Sequence, residues 1–443
     1  MLKRQMPDRI RAAVGVRMAD ARLPAPFAGG LEYGAPARGM WNIVHTGMLI
    51  PGAHEIFVCA EGCLRGVVLT AAEMGAVERF SMISIRENNV LDGDIEELII
   101  DGVTDILHKL PAMPPAVLLY TSCIHHFMAC DLDRVYRTLR GRFPQVDFTD
   151  CYMNPIMRKS GLTPDQLMRR QLYSLLKKRP VNDKSVNLIG NDLPTDDTSE
   201  LVRMIRENGF TLRDITACRT YGEYQLMAES FLSISTYPPA RAGGDALKHR
   251  LGQRHLYLPW SADFDVIDQN LQKLAGVLGV PAPDTAAARR GALDALEQTR
   301  QLLNGKPVAL DYTAVPRPME LARLLVRCGF NLTEIYIDAV SGEEESAARW
   351  LQSHAPELML YPTSDPMMRV APRQAAEPPL CIGQKAAYFT GSDAFVNIVE
   401  GGGLYGFDGI ARLAGLMADA ELNRKDPRGL ITVKGLGCGC CGI

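Results

Sequence analysis

Of the eleven cysteines in the 443-residue chain, three are spaced for chemistry. Cys59 and Cys63 belong to VCAEGCLRG, after an apolar run that reads as a strand and before a helix expected from about Gly66. Cys123 follows AVLLYTS directly, again at the carboxyl end of an expected strand. In an open parallel sheet the carboxyl ends of the strands share one edge, where ligands collect. Two cysteines from one segment and a third from a neighbouring strand end can therefore converge. Thiolates are the usual ligands of iron–sulfur clusters. Backbone N–H groups after Gly62 and at the helix start would help stabilise an anionic cluster. The C-x₃-C spacing is weak evidence by itself, because buried free cysteines are common.

The other candidates divide by setting. Cys438, Cys440 and Cys441 sit among glycines in the terminal GLGCGCCGI, where soft-metal capture, redox activity and a tolerated tail are all open readings. Cys130, Cys218, Cys328 and Cys381 lie in apolar or helix-terminal surroundings and read as core residues. Cys151, in DFTDCYMNP, is expected at another strand end, with burial in the core favoured over a place in a cleft. His125 and His126 follow Cys123 and point apart as neighbours, while His45 and His54 flank the first cysteine segment. Each reads more simply as a surface or supporting residue than as a ligand. NDLPTDD (191–197) is acidic enough for a divalent ion, but a solvated loop with a helix cap explains it more simply.

The elements that must position these residues alternate. HEIFVC, AVLLYTS, VNLIG, HLYLP, KPVALDY, NLTEIYI and ELMLYP read as strands, with amphipathic helices such as 94–110 and 199–210 between them. A strand–loop–helix–strand unit recurs three times, around AVLLYTSC, VNLIGNDLP and KPVALDYTAVP. The expected class is α/β, with three Rossmann-like domains and parallel sheets around a central cleft. The division expected is 1–178, 179–300 and 301–443. No strand is followed by G-x-G-x-x-G and no Walker A motif occurs, so no nucleotide is expected on this chain.

Composition narrows the classes further. With 47% hydrophobic and 22% charged residues the chain is an average globular protein. Lys and Arg total 48 against 51 Asp and Glu, which leaves no basic excess for nucleic acid. An odd cysteine count in a chain of this size argues for free thiols or metal ligands rather than disulfides. The charged N-terminus lacks an apolar signal core, and no stretch approaches a membrane span. A cytoplasmic, soluble protein is expected.

Read in order, these segments resemble the nitrogenase component 1 superfamily. GGLEYGAPARGMWNIVHTGMLIPGAHEIFVCAEGCLRG resembles its N-terminal cluster region, and RFSMISIRENNVLDGDIEELIIDGVTDIL the segment and helix that follow. AVLLYTSCIHHFMACDLDRV resembles its cluster-cysteine motif, with Cys123 at the ligand position and Asp131 in the acidic pair. LKHRLGQRHLYLPWSADFDVIDQNLQKLAGVLG and GGGLYGFDGIARLA are similar to the family's later strand–helix and glycine-loop segments. The matches are collinear from Gly29 to Ala420.

The resemblance implies an oxidoreductase subunit that relays electrons through an iron–sulfur cluster, 4Fe–4S or larger, shared with a partner. It implies a homologous component 1 subunit, as heterodimer or heterotetramer, and a separate P-loop 4Fe–4S ATPase as reductase. Cys59, Cys63 and Cys123 are this chain's expected share of the cluster; Cys63 and Cys123 match ligand positions and Cys59 is additional. The pattern also departs from the family. No cysteine stands near Leu31 or Glu32, where the first cluster cysteine would fall. Thr236 and Val396 occupy the positions of the Cys and His that hold the iron–molybdenum cofactor. A dinitrogen-reducing α subunit is therefore not expected, and the cleft is left open to another metallocofactor, a tetrapyrrole-like substrate, or nothing. A non-catalytic scaffold for metallocluster maturation is the alternative.

Overall fold

The computed structural model describes residues 14–32, 43–153, 161–371 and 377–427, and among them fourteen strands build three sheets. The first strand, β1 (Val16–Arg17), is short. Four strands then form a parallel sheet: β2 (His54–Cys59), β3 (Phe80–Ser84), β4 (Ala116–Ser122) and β5 (Asp147–Met153), in the order β3-β2-β4-β5. A second parallel sheet contains β6 (Asn182–Ile189), β7 (Thr211–Asp214), β8 (Ser230–Ser235) and β9 (Arg254–Tyr257), in the order β7-β6-β8-β9. The third contains β10 (Val308–Asp311), β11 (Leu332–Tyr336), β12 (Met359–Tyr361), β13 (Leu380–Ile382) and β14 (Phe395–Val396). Its order is β1-β12-β11-β10-β13-β14, and within it only β1 runs antiparallel.

The α/β reading with parallel Rossmann-like sheets holds. The three recurring units appear as parallel neighbours: β4 with β5, β6 with β7, and β10 with β11. They are joined in sequence through the helices Leu132–Arg142, Glu200–Glu207 and Pro318–Arg327. The chain separates into two compact units. The described residues of 41–194 and 209–259 carry the first two sheets; those of 1–40, 195–208 and 260–443 carry the third.

β2 and β4 are buried along their whole length, which is why HEIFVC and AVLLYTS are nearly unbroken apolar runs. Alternation still assigns each side chain to a face. Phe57, Cys59, Leu118 and Tyr120 meet one core, whereas Ile56, Val58, Val117 and Leu119 meet the other. The helix Ile95–Lys109 lies on the second core through Ile99, Val103 and Leu107, spaced one turn apart. Glu96 and Glu97 in its first turn and His108 and Lys109 in its last oppose the helix dipole favourably. Among the described residues no helix is long and apolar enough to cross a membrane.

Candidate functional site

β2 and β4 bring their ends out at one edge of the first sheet, since Val58 lies beside Thr121 in the register. Cys59 is the last residue of β2, and Cys123 opens the short helix Cys123–Phe127 directly after β4. Cys63 lies in the first turn of the helix Glu61–Glu73, which starts five residues earlier than expected. Its start is fixed by the Cys63 N–H donating to Ala60 O at 2.9 Å, with Glu61 in the turn where negative charge is favoured.

The three thiols differ in access. Cys59 is buried, Cys123 partly exposed and Cys63 exposed. Burial pushes the Cys59 thiol up to about 12, and the neighbouring Cys63 and Cys123 push in the same direction. Cys63 and Cys123 both lie near enough to Cys59 to act on it electrostatically. Yet among the described residues no three His, Cys, Asp or Glu side chains are gathered tightly enough to hold a metal ion. The edge presents separate donors rather than a closed cage.

Behind it lies a set of buried polar groups. Glu55, on the same face of β2 as Cys59, is fully buried. The Tyr120 hydroxyl reaches Glu55 Oε1 at 3.4 Å and donates to Ile43 O at 3.0 Å, while Glu55 Oε2 has no hydrogen-bond partner. Burial drives the carboxyl well above the usual range, against the opposing pull of Arg79 and Tyr120. A Cβ at Gly47 would collide with Glu55 Oε1 and the Tyr120 hydroxyl, so glycine is required there. His54 shares a 2.8 Å hydrogen bond with Ser81 Oγ, and burial beside Arg79 lowers it to about 4. His125 is also buried: its Nδ1 accepts from the Ser122 N–H at 3.0 Å, and its Nε2 has no partner. His126 is exposed. The two neighbours do point apart, but His125 lies inside rather than at the surface.

The corresponding edge of the second sheet carries different chemistry. Arg169 is fully buried, donates to Asp192 Oδ2 at 2.5 Å and to Asp165 Oδ1 at 3.1 Å, and is held as well by Gly190 O. Its guanidinium lies 4.9 Å from the Tyr237 ring centre. Asp192 was expected in a solvated loop; its side chain is only 3% exposed because the buried cation requires a counter-charge. The cap of the following helix is Ser199, which accepts from the Val202 N–H. Thr236 is buried just past β8, and Val396 is buried in β14.

A family model described as nitrogenase component 1 type oxidoreductase matches residues 44–420. The chain belongs to that family. The structure of nitrogenase Cp1 at pH 6.5 superimposes with a TM-score of 0.62 at 14% identity, covering 89% of this chain and 95% of the other. That of nitrogenase Cp1 at pH 5 gives 0.56 at 12% identity, covering 93% and 94%. These likenesses show the nitrogenase component 1 fold. No curated protein matches the chain.

Within this nitrogenase component 1 framework the remaining candidates are plainly placed. Cys151 lies inside β5 beside Tyr120, buried in the core and not at the strand end. Cys381 is buried in β13, and Cys130, Cys218 and Cys328 are partly buried. Asp131 caps the helix Leu132–Arg142 by accepting from the Arg134 N–H at 2.9 Å. Cys438, Cys440 and Cys441 lie outside the described residues. Glu55 and Arg169 escaped the sequence reading. A signal for Glu55 was present, because period two puts it on the face of Phe57 and Cys59 inside an apolar strand.

Proposed function

We propose that this chain is a cluster-holding subunit of a nitrogenase-like, ATP-dependent reductase. The carrying observation is one edge of the first sheet bearing Cys63 exposed, Cys123 partly exposed and Cys59 buried in the core. The donor set suits half of a shared cluster. Separate, reachable thiols are what an interface closed by a second chain requires. An iron–sulfur cluster, when bound, supplies one-electron transfer. This chain's residues hold and insulate it: Cys63 and Cys123 offer accessible sulfur, and the apolar core behind Cys59 excludes water. Burial disfavours the Cys59 thiolate in the metal-free chain, and its proton would have to be displaced by a bound metal. A homologous subunit completes the site, and a separate P-loop iron–sulfur ATPase delivers electrons in the cytoplasm.

Anaerobic purification with the partner subunit, followed by iron and sulfide analysis and electron paramagnetic resonance, tests this reading. Wild type is expected to carry a cluster signal that Cys63→Ala and Cys123→Ala each abolish or alter, with Cys59→Ala shifting it less. An unchanged spectrum in both single variants sinks the assignment.

One observation favours a second reading. Thr236 and Val396 offer no ligands where the family's iron–molybdenum cofactor is held. That suits a maturation scaffold as well as a reductase acting on another substrate. ATP- and reductant-dependent turnover by the purified complex identifies the reductase. Release of a metallocluster precursor to an acceptor without turnover identifies the scaffold.

A further inference from the structure

At the opposite, amino edge of the first sheet, where β5 begins, lies a basin of about 630 Å³. Its volume falls within the range of small-molecule sites, roughly 300–1,000 Å³. Arg140, Lys177, Lys178 and Arg250 line it, with Asp147 as its one carboxylate, a local surplus of positive charge on a chain whose net charge is −3.

The two arginines are fixed without being neutralised. Arg250 donates from Nη1 to Leu176 O at 2.6 Å and from Nη2 to Tyr173 O. Arg140 donates to Phe148 O at 3.2 Å and lies over the Tyr136 ring at 5.4 Å. Carbonyls and a ring orient these guanidiniums, and among the described residues neither pairs with a carboxylate. Burial lowers Arg250, an electrostatic cost that an incoming anion relieves. Asp147 is already engaged, accepting from the Tyr221 hydroxyl at 2.7 Å and pairing with Lys177 at 2.9 Å. Lys178 is exposed and has no hydrogen bond or ion pair among the described residues. Two held guanidiniums, the exposed Lys178 ammonium and Lys177, which shares its charge with Asp147, surround one concavity and suit multiple negative charges.

We propose that this basin binds a small oxyanion carrying two or more negative charges, a polyphosphate or a polycarboxylate. Arg140 and Arg250 are its fixed receptors, and Lys177 and Lys178 close over it. The concavity favours a small ligand over a flat acidic protein surface. This proposal stands apart from the cysteine edge and does not depend on the cluster.

Isothermal titration calorimetry of the full chain with pyrophosphate, with citrate and with polyglutamate tests it. One equivalent of pyrophosphate or citrate is expected to bind, and the tighter of the two identifies the source as phosphate or carboxylate. Binding weakens as salt rises from about 0.05 to about 0.3 M. The exposed pair Lys177→Glu with Lys178→Glu weakens it about tenfold or more, with a thermal melt unchanged from wild type. Arg140→Gln, which leaves the Arg250 anchors intact, is a second variant expected to weaken it. The proposal is overturned if neither small anion binds, if both charge variants bind as wild type does, or if polyglutamate alone binds. The last outcome marks an acidic macromolecule instead.

Discussion

The first and second sheets have the same topology and end in opposite chemistry. In each, the second strand of the segment lies outside the first, followed by the third and fourth, giving β3-β2-β4-β5 and β7-β6-β8-β9. All the pairings are parallel, so both carry a carboxyl edge suited to a ligand. The first leaves thiols at that edge, two of them reachable from solvent. The second fills its edge with Arg169, Asp192 and Tyr237, a cation, its counter-ion and a ring. Topology supplies an edge; the side chains decide whether it is open to a ligand or closed by internal ionic bonds.

Removing the closure is the sharpest way to break this comparison. Asp192→Ala leaves Arg169 buried without its principal partner, an expected loss of about 3–5 kcal/mol of unfolding free energy, read as a lower urea midpoint. Replacing both partners together, Arg169→Met with Asp192→Leu, is expected to recover most of that loss, because the desolvation cost disappears with the charges. If Asp192→Ala is nearly neutral, the second edge is not held by this pair and the contrast fails. The matched change in the first sheet, Cys63→Ala, is expected to leave the midpoint of the metal-free chain nearly unchanged, since the residue is exposed.

The sequence makes the first edge more legible than the second. HEIFVC and AVLLYTS coincide with β2 and β4, since a strand buried on both faces is mostly apolar. Cys59 and Cys123 could then be placed at strand ends by counting. The short strands β13 and β14, three and two residues long, carry too little periodicity to be read. Arg169 and Asp192 were invisible for another reason. They lie 23 residues apart on a helix and a loop, and either looks solvated until its partner is known. The helix expected from about Gly66 starts at Glu61, so Gly62 lies within its first turn, where glycine is tolerated at a cost of about 1 kcal/mol against alanine.

Smaller effects lie within the first sheet and show in its response to pH. His54 is lowered to about 4 by burial. As pH falls below about 6.5 the unfolded chain takes up a proton that the folded ring refuses, so stability present at neutral pH is lost towards pH 4, by about 2–3 kcal/mol in all. Glu55, facing Arg79, Tyr120 and Cys151, is raised by burial and acts with the opposite sign. Above the ordinary carboxyl pKa the unfolded state loses its proton while the folded state keeps it, and stability falls as pH rises by up to about 1.4 kcal/mol per unit. The two oppose each other between about pH 4.5 and 6.5, and Glu55 acts alone above that window. Because the two slopes nearly cancel in that window, His54→Asn is expected to make thermal stability fall as pH rises from about 4.5 to 6.5, and Glu55→Gln to flatten the neutral side and leave a rise across the same window. A neutral-side slope unchanged by Glu55→Gln means that the carboxyl is ionised.

The smallest expected effect tests what the loop after Cys123 needs to hold its place. Asp131 accepts from the Arg134 N–H, and its own N–H donates to Glu96 Oε1 at 2.9 Å, tying the loop to the helix Ile95–Lys109. Asp131→Ala removes the cap and leaves the backbone bond to Glu96, an expected loss of about 1 kcal/mol. Asp131→Asn keeps an accepting oxygen and is expected to recover most of it. If the Ala variant loses stability while Cys123 keeps its wild-type rate of alkylation, the acidic residue serves the helix alone. A faster rate, restored by Asn, means that the same cap also shields the thiol, and that the open edge is partly held in place from outside the sheet.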